Sequence, residues 1–236
     1  FNCYSFGNGV ESNRIRDDFN EAIIDKGPRV SMSLSTPYKE DRRGSGLIFS
    51  GIYNSMTGVN NLNQFIAAEG ITKDLNPTYG SIQKLHARDT DLVTLCENKA
   101  LKILSNKDAL YNADGNANLT ATENVLGQTV PFVGEYGISK NPESFASESF
   151  RAYFTDKNRG VVLRLSRDGL TVISEYGMKD WFNDRLKLYD QLIGRWDNKK
   201  LEYNITLNDF GAEQEEKTVS FHEPANSWVS FKSFIP

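Results

Sequence analysis

Histidine and cysteine are scarce in this chain of 236 residues, with two of each. Cys3 and Cys96 form no CxxC pair, and His86 and His222 neither neighbour a cysteine nor share a HxxxH spacing. A zinc site draws three or four ligands from such residues, so the sequence offers no metal centre. Two unpaired, non-ligating thiols are expected to be reduced and mostly buried. GxSxG, GxGxxG and GxxxxGK[ST] are all missing, which removes the nucleophile elbow and the nucleotide-binding loops. The nearest string, Gly44-Ser45-Gly46, lacks the spacing and reads as a loop. No apolar run approaches the roughly 18 residues of a membrane helix, and no secretory signal is visible. An excess of basic charge is missing too. Lys and Arg total 27 against 31 Asp and Glu, for a net charge of -4, which argues against nucleic acid as a partner. No cofactor, no metal, no nucleic-acid contact and no membrane insertion are expected.

The chain is rich in what strands and interfaces use. Aromatic residues make up 11%, with 14 Phe and 10 Tyr, beside 39% hydrophobic and 25% charged residues. That composition belongs to a folded globular chain with a sizeable core. Residues 1–45 are polar and turn-rich, with Gly7, Gly9, Gly27-Pro28 and Arg42-Arg43-Gly44, and read as an extended connecting segment. Residues 46–236 read as one mainly β domain. It opens with strand signals at Leu47-Ile48-Phe49 and Gly51-Ile52-Tyr53, and Leu62, Phe65 and Ile66 suggest a short helix over 61–68. Asn76-Pro77 and Tyr79-Gly80 are turn signals.

Beyond residue 80 the pattern becomes strand, turn, strand. Strands are expected at 81–85, 91–96 and 100–104, with a turn at Glu97-Asn98-Lys99. A shift of sixty residues brings this pattern onto itself over nineteen positions, 92–110 onto 152–170. Leu92 meets Ala152, Thr94 meets Phe154, and the turn meets Lys157-Asn158-Arg159. Leu101 meets Val161 and Ile103 meets Leu163. A third hairpin follows, Ile193 to Asp197 and Leu201 to Leu207 around Asn198-Lys199-Lys200, with further strands near 218–221 and 228–234. The second unit divides into four strands, at 147–150, 151–155, 160–165 and 170–173. Four short antiparallel strands recurring at about 40–60 residues are the signature of propeller-like blades, each covering the face of the next. A β-sandwich is the alternative. Residues 105–135, rich in Asn and Ala, are expected to form a long loop. Met178, Trp181, Phe182, Arg185, Leu186 and Tyr189 define one stripe of a helix over 178–189, with its Trp packed on a blade.

Propellers can host glycosidases, which need two acids about 5–10 Å apart. Glu135, Glu143, Glu148, Asp156 and Asp168 are the possible members, and sequence does not pair them. Asp156 and Asp197 each begin a hairpin turn and Asp168 precedes Gly169, so their expected role is hydrogen bonding to turn backbone. Glu213, Glu215 and Glu216 read as a solvated loop. The run 112–118 (NADGNAN) looks like a calcium loop, but neither register is complete: starting at Asp114 puts Leu119 at the sixth position, where glycine is needed, and Val125 at the twelfth, and starting at Asn112 puts Glu123 at the twelfth but Ala117 at the sixth. The sequons at Asn118 and Asn204 carry little weight without a secretory signal. No catalytic, cofactor-binding or metal-binding residue is assigned.

Several long runs are distinctive as strings: 71–85 (ITKDLNPTYGSIQKL), 88–92 (RDTDL), 106–116 (NKDALYNADGN), 133–139 (VGEYGIS), 141–146 (NPESFA), 160–170 (GVVLRLSRDGL) and 228–234 (WVSFKSF). Over residues 45–236 they resemble the large tail protein of crAss-like bacteriophages, the muzzle or stabilization protein of short-tailed virions. The resemblance implies a non-enzymatic structural protein of the distal tail, assembled in the host cytoplasm into a ring with copies of itself and other tail proteins. It also implies a longer parent chain, which the non-Met start and the end directly after a strand independently suggest. Contact with the host cell surface is a further expectation, and a host glycan would find Trp196 and Trp228 as candidate platforms. A propeller glycosidase is the remaining alternative.

Overall fold

The structure, a computed structural model, describes residues 43–62, 71–88, 91–111, 117–211 and 215–233. Nearly all of the expected connecting segment 1–45, and nearly all of the expected helix over 61–68, lie outside those residues. The described chain divides into two units.

The first unit holds residues 43–62, 71–76, 104–111 and 117–129. Strand β1 (Gly46–Ile48) and, after two short strands, β4 (Thr72–Asp74) pair antiparallel, Gly46 opposite Asp74. Between them, β2 (Tyr53–Asn54) and β3 (Val59–Asn60) form a hairpin. Its turn is shaped by Asn54, whose Oδ1 accepts from the Met56 amide at 3.0 Å, and by Gly58 at φ +73.

The second unit holds residues 77–103 and 130 onwards. It opens with a 3-10 turn, Pro77–Tyr79, where the sequence signals a break. Strands β5 (Ile82–Arg88), β6 (Asp91–Cys96), β7 (Ala100–Tyr111) and β8 (Ala117–Pro131) make a four-stranded sheet in chain order, of which β5, β6, the start of β7 and the end of β8 belong to this unit and the rest of β7 and β8 to the first. The expected loop over 105–135 is therefore corrected: most of it is the long strands β7 and β8. Asn and Ala dominate the local composition, but Thr120, Thr122, Val125, Thr129 and Val130 supply β-branched residues along β8. Glu123, needed by the calcium-loop register, lies mid-strand instead.

A second sheet follows, from β9 (Ala146–Glu148), β10 (Arg151–Asp156), β11 (Val161–Ser166) and β12 (Gly169–Val172), ordered β12-β11-β10-β9. Helix α1 (Lys179–Arg185) comes next, shorter than the expected 178–189, but its stripe still buries Phe182, Leu186 and Tyr189. A third sheet in chain order closes the unit: β13 (Gln191–Asp197), β14 (Glu202–Asn208), β15 (Lys217–His222) and β16 (Ser227–Lys232).

The sixty-residue register is visible in space. Strands β6 and β10 have bounds sixty residues apart, and each turns into the third strand of its sheet. The third hairpin behaves differently. It joins β13 to β14, the first and second strands, so its turn repeats the chemistry at a different place in the sheet.

The second sheet is buried on both faces. Ala152, Phe154, Leu163 and Leu165 join Val93, Leu95 and Ala100 of the first sheet in one cluster. Tyr153 and Val162, pointing the other way, join Phe182, Leu192, Tyr203, Ile205 and Phe221 in a second. A pleated strand with apolar residues on both sides must be covered on both sides. Gly194 shows how close the layers come: a Cβ there would lie 1.9 Å from the Ser144 carbonyl oxygen, the atom to which Tyr203 donates its hydroxyl at 2.7 Å. Among the described residues the three sheets are open and do not close into a ring.

Candidate functional site

Along the face of β11 that looks toward the third sheet, the residues run Val162, Arg164, Ser166. On β10 the same face carries Tyr153 and then Arg151. The interface between the second and third sheets thus passes from apolar to charged within one residue pair. Tyr153 sits at the boundary, its ring stacked between Trp196 at 5.2 Å and Tyr203 at 5.0 Å. Its hydroxyl donates to Glu223 Oε2 at 2.7 Å. Burial, reinforced by that carboxylate, raises the phenol pKa far above its usual value, so the group stays a donor.

Glu223 begins the turn between β15 and β16 and draws three groups of the second sheet. Besides Tyr153, Arg164 Nη1 reaches Oε1 at 2.7 Å and Arg151 Nε reaches it at 3.1 Å. Arg164 also touches Asn226 Oδ1 at 3.3 Å, and Arg151 reaches Glu148 Oε2 at 3.3 Å. Outside this charged layer opens a pocket of about 240 Å³. Its floor is Arg151, Arg164 and Glu223, and its rim is Phe150, Ser166, Arg167 and Asp168. The Arg167 guanidinium lies 4.9 Å from the centroid of the Phe150 ring, itself 55% exposed. No described carboxylate pairs with Arg167. The turn carrying Arg167 and Asp168 is completed by Gly169 at φ +116, a conformation costly for other residues.

A second polar layer, largely buried, lies on the far side of the third sheet. Glu202, Asn204 and Thr206 alternate with core-facing Tyr203, Ile205 and Leu207. Lys232 Nζ donates to Glu202 Oε2 and to Asn204 Oδ1, Ser220 Oγ donates to Asn204 Oδ1 at 2.6 Å, and the Thr206 and Thr218 hydroxyls meet at 2.7 Å. A pocket of about 340 Å³ beside this ladder is lined by Arg195, Asp197, Lys199, Asn204 and Thr206, among others.

The acids singled out in the sequence are dispersed. Glu135 is exposed and bound to Lys99 Nζ at 2.7 Å, which holds its carboxyl below the usual range. Glu143 is exposed in the 3-10 turn Pro142–Ser144. Glu148 pairs with Arg151. Asp156 is fully buried and caps its turn, accepting from the Arg159 amide at 3.1 Å, and it also accepts from the Gly137 amide and the Ser139 hydroxyl. Asp197 caps its turn through the Lys199 and Lys200 amides, which lower its pKa. Asp168 is the one nominated acid in the inter-sheet pocket. Glu215 and Glu216 flank β15, and Glu213 lies outside the described residues.

The aromatic candidates turn inward. Trp196 stacks on Tyr153, and Trp228 donates Nε1–H to the Ile173 carbonyl at 2.9 Å while its ring sits 4.5 Å from Phe182. Both rings are partly buried and pack against the core, and Trp196 also lines the pocket of about 340 Å³ beside the third sheet. Trp181 packs edge-on against Phe182 and Phe231, as expected for a helix docked on a sheet. His86 lies on β5 with its ring 5.1 Å from Phe145, and His222 Nδ1 accepts from the Ala225 amide. Among the described residues no three His, Cys, Asp or Glu side chains gather as metal ligands. Asn204 of the sequon is buried and hydrogen-bonded. The sequence reading missed Arg151, Arg164 and Glu223. One signal was present: Arg164 interrupts the otherwise apolar run Val161-Val162-Leu163-Arg164-Leu165, and a charge in a buried strand requires a partner. No family model and no curated protein matches the sequence.

Proposed function

We propose that this chain is a non-enzymatic structural component of a short-tailed bacteriophage virion, part of a ring at the distal end of the tail. The distinctive runs between residues 71 and 234, which resemble the muzzle protein of crAss-like phages, motivate the reading. The observation that carries its architectural side is the second sheet, buried on both faces by the sheets before and after it. Successive four-stranded meanders stacked face to face are how propeller blades cover one another. In this proposal further segments or subunits supply the remaining blades and close the ring. The partners are other copies of the chain and neighbouring tail proteins.

Mass spectrometry of purified virions combined with cryo-electron microscopy of the tail tests the reading. A tail ring whose density fits these three sheets is the expected result. Absence of the chain from particles that retain their tails overturns it. A second reading, binding of a host-surface glycan, is favoured by the arginine-lined pocket and by Trp196, which lines the pocket beside the third sheet.

A further inference from the structure

We propose that the pocket between the second and third sheets is a binding subsite for a carboxylate-bearing sugar, a single uronic-acid-type residue of a surface polysaccharide. The inference does not depend on the tail assignment.

The pocket holds the two chemistries such a ligand needs. Arg167 supplies a guanidinium at the rim, without a carboxylate partner among the described residues, and a planar guanidinium binds a carboxylate through two parallel hydrogen bonds. The Arg167 guanidinium lies over the exposed Phe150 ring, 4.9 Å from its centroid, so ring and cation form one surface with apolar and charged parts for a sugar acid. Asp168 and the Ser166 hydroxyl lie on the same rim and suit sugar hydroxyls.

The floor is already organised. Glu223 is held by Tyr153, Arg151 and Arg164, so these groups are fixed before a ligand arrives. Arg164 Nε is buried and has no acceptor among the described residues. Preorganised donors reduce the ordering cost of binding. A volume of about 240 Å³ suits one small ring rather than an oligosaccharide. Glu223 and Glu148 pair with Arg151 and Arg164, so Arg167 is the lining guanidinium left to meet a ligand carboxylate, which favours an anionic over a neutral sugar.

The test is nuclear magnetic resonance titration of the full chain with glucuronic acid, glucose and acetate. Glucuronic acid is expected to bind with a Kd in about the millimolar range, shifting amides of 150–151 and 164–168, with glucose and acetate each at least ~10-fold weaker. Arg167→Gln, an exposed turn substitution, should weaken glucuronic acid by ~10-fold or more while circular dichroism stays native. Lys179→Gln on α1 should leave binding unchanged. Equal binding of acetate and glucuronic acid overturns the saccharide assignment. Binding unaffected by Arg167→Gln, or no shifts from any of the three probes, overturns the site.

Discussion

The hydroxyl of Tyr153 on the second sheet donates to Glu223 on the third across 2.7 Å, and the same carboxylate receives Arg151 and Arg164. One turn residue thereby joins two layers at the edge of their shared core. Tyr153→Phe removes a hydrogen bond to a charged group and should cost about 1.5–3 kcal/mol. Glu223→Ala should cost more, because it takes the shared carboxylate from Tyr153, Arg151 and Arg164 at once and leaves Arg151 only Glu148 and Arg164 only Asn226. Urea midpoints check both, and a double-mutant cycle should give coupling well above zero. Additive losses would mean that the pair is not linked as drawn.

Gly194 admits no side chain. A Cβ there would lie 1.9 Å from the Ser144 carbonyl oxygen and 2.8 Å from the Tyr203 hydroxyl. Backbone cannot yield as a flexible side chain can, so Gly194→Ala should destabilise by about 1–3 kcal/mol or more. Gly169→Ala meets no neighbouring atom, and its cost should come from its positive φ alone. Thermal melts of the two variants should rank Gly194→Ala as the less stable.

Cys96 is fully buried at the end of β6, and that burial, with Glu97 nearby, pushes its thiol up to about 11. At pH 8 only about one molecule in a thousand carries the thiolate. In a Cys3→Ser background, reaction with a disulfide reagent should run at least ~100-fold slower in buffer than in urea. Because the folded pKa is raised, the contribution to stability is complete below the ordinary thiol value and is lost as pH rises through about 11. A fast-reacting native thiol would contradict the placement of β6.

His86 is shifted the other way. Partial burial, then Arg88 and Lys84, depress its pKa below 6.5. Its imidazole resonances should titrate below that value, and Lys84→Gln should move the midpoint upward. Because the folded pKa is depressed, the contribution to stability is present above 6.5 and fades as pH falls through the folded value.

Local features were legible in the sequence and distant ones were not. The hairpins around Asn98, Asn158 and Asn198 follow from alternation and turn residues, which act within a few positions. Strand β8 was obscured because its neighbours in the chain are Asn and Ala, while its pairing with β7 depends on the whole sheet. The third hairpin showed its turn but not its place, since turn chemistry does not say how many strands come before. Glu223 falls between the strand signals near 218–221 and 228–234, with nothing local to mark its partners. Its partners Arg164 and Tyr153 lie 59 and 70 residues away, beyond any periodicity.

The doubly covered sheet has a consequence for synthesis on the ribosome. Strands β9–β12 and the sheet before them are complete before β13–β16 emerge. Through that interval the nascent chain carries Tyr153 and Val162 without the Tyr203, Ile205 and Phe221 that finally shield them. Such a chain exposes sticky surface for as long as translation of the last sheet takes, at about 5–20 residues per second. Slow codons across residues 191–232 should therefore lower soluble yield relative to fast synonymous codons at the same positions.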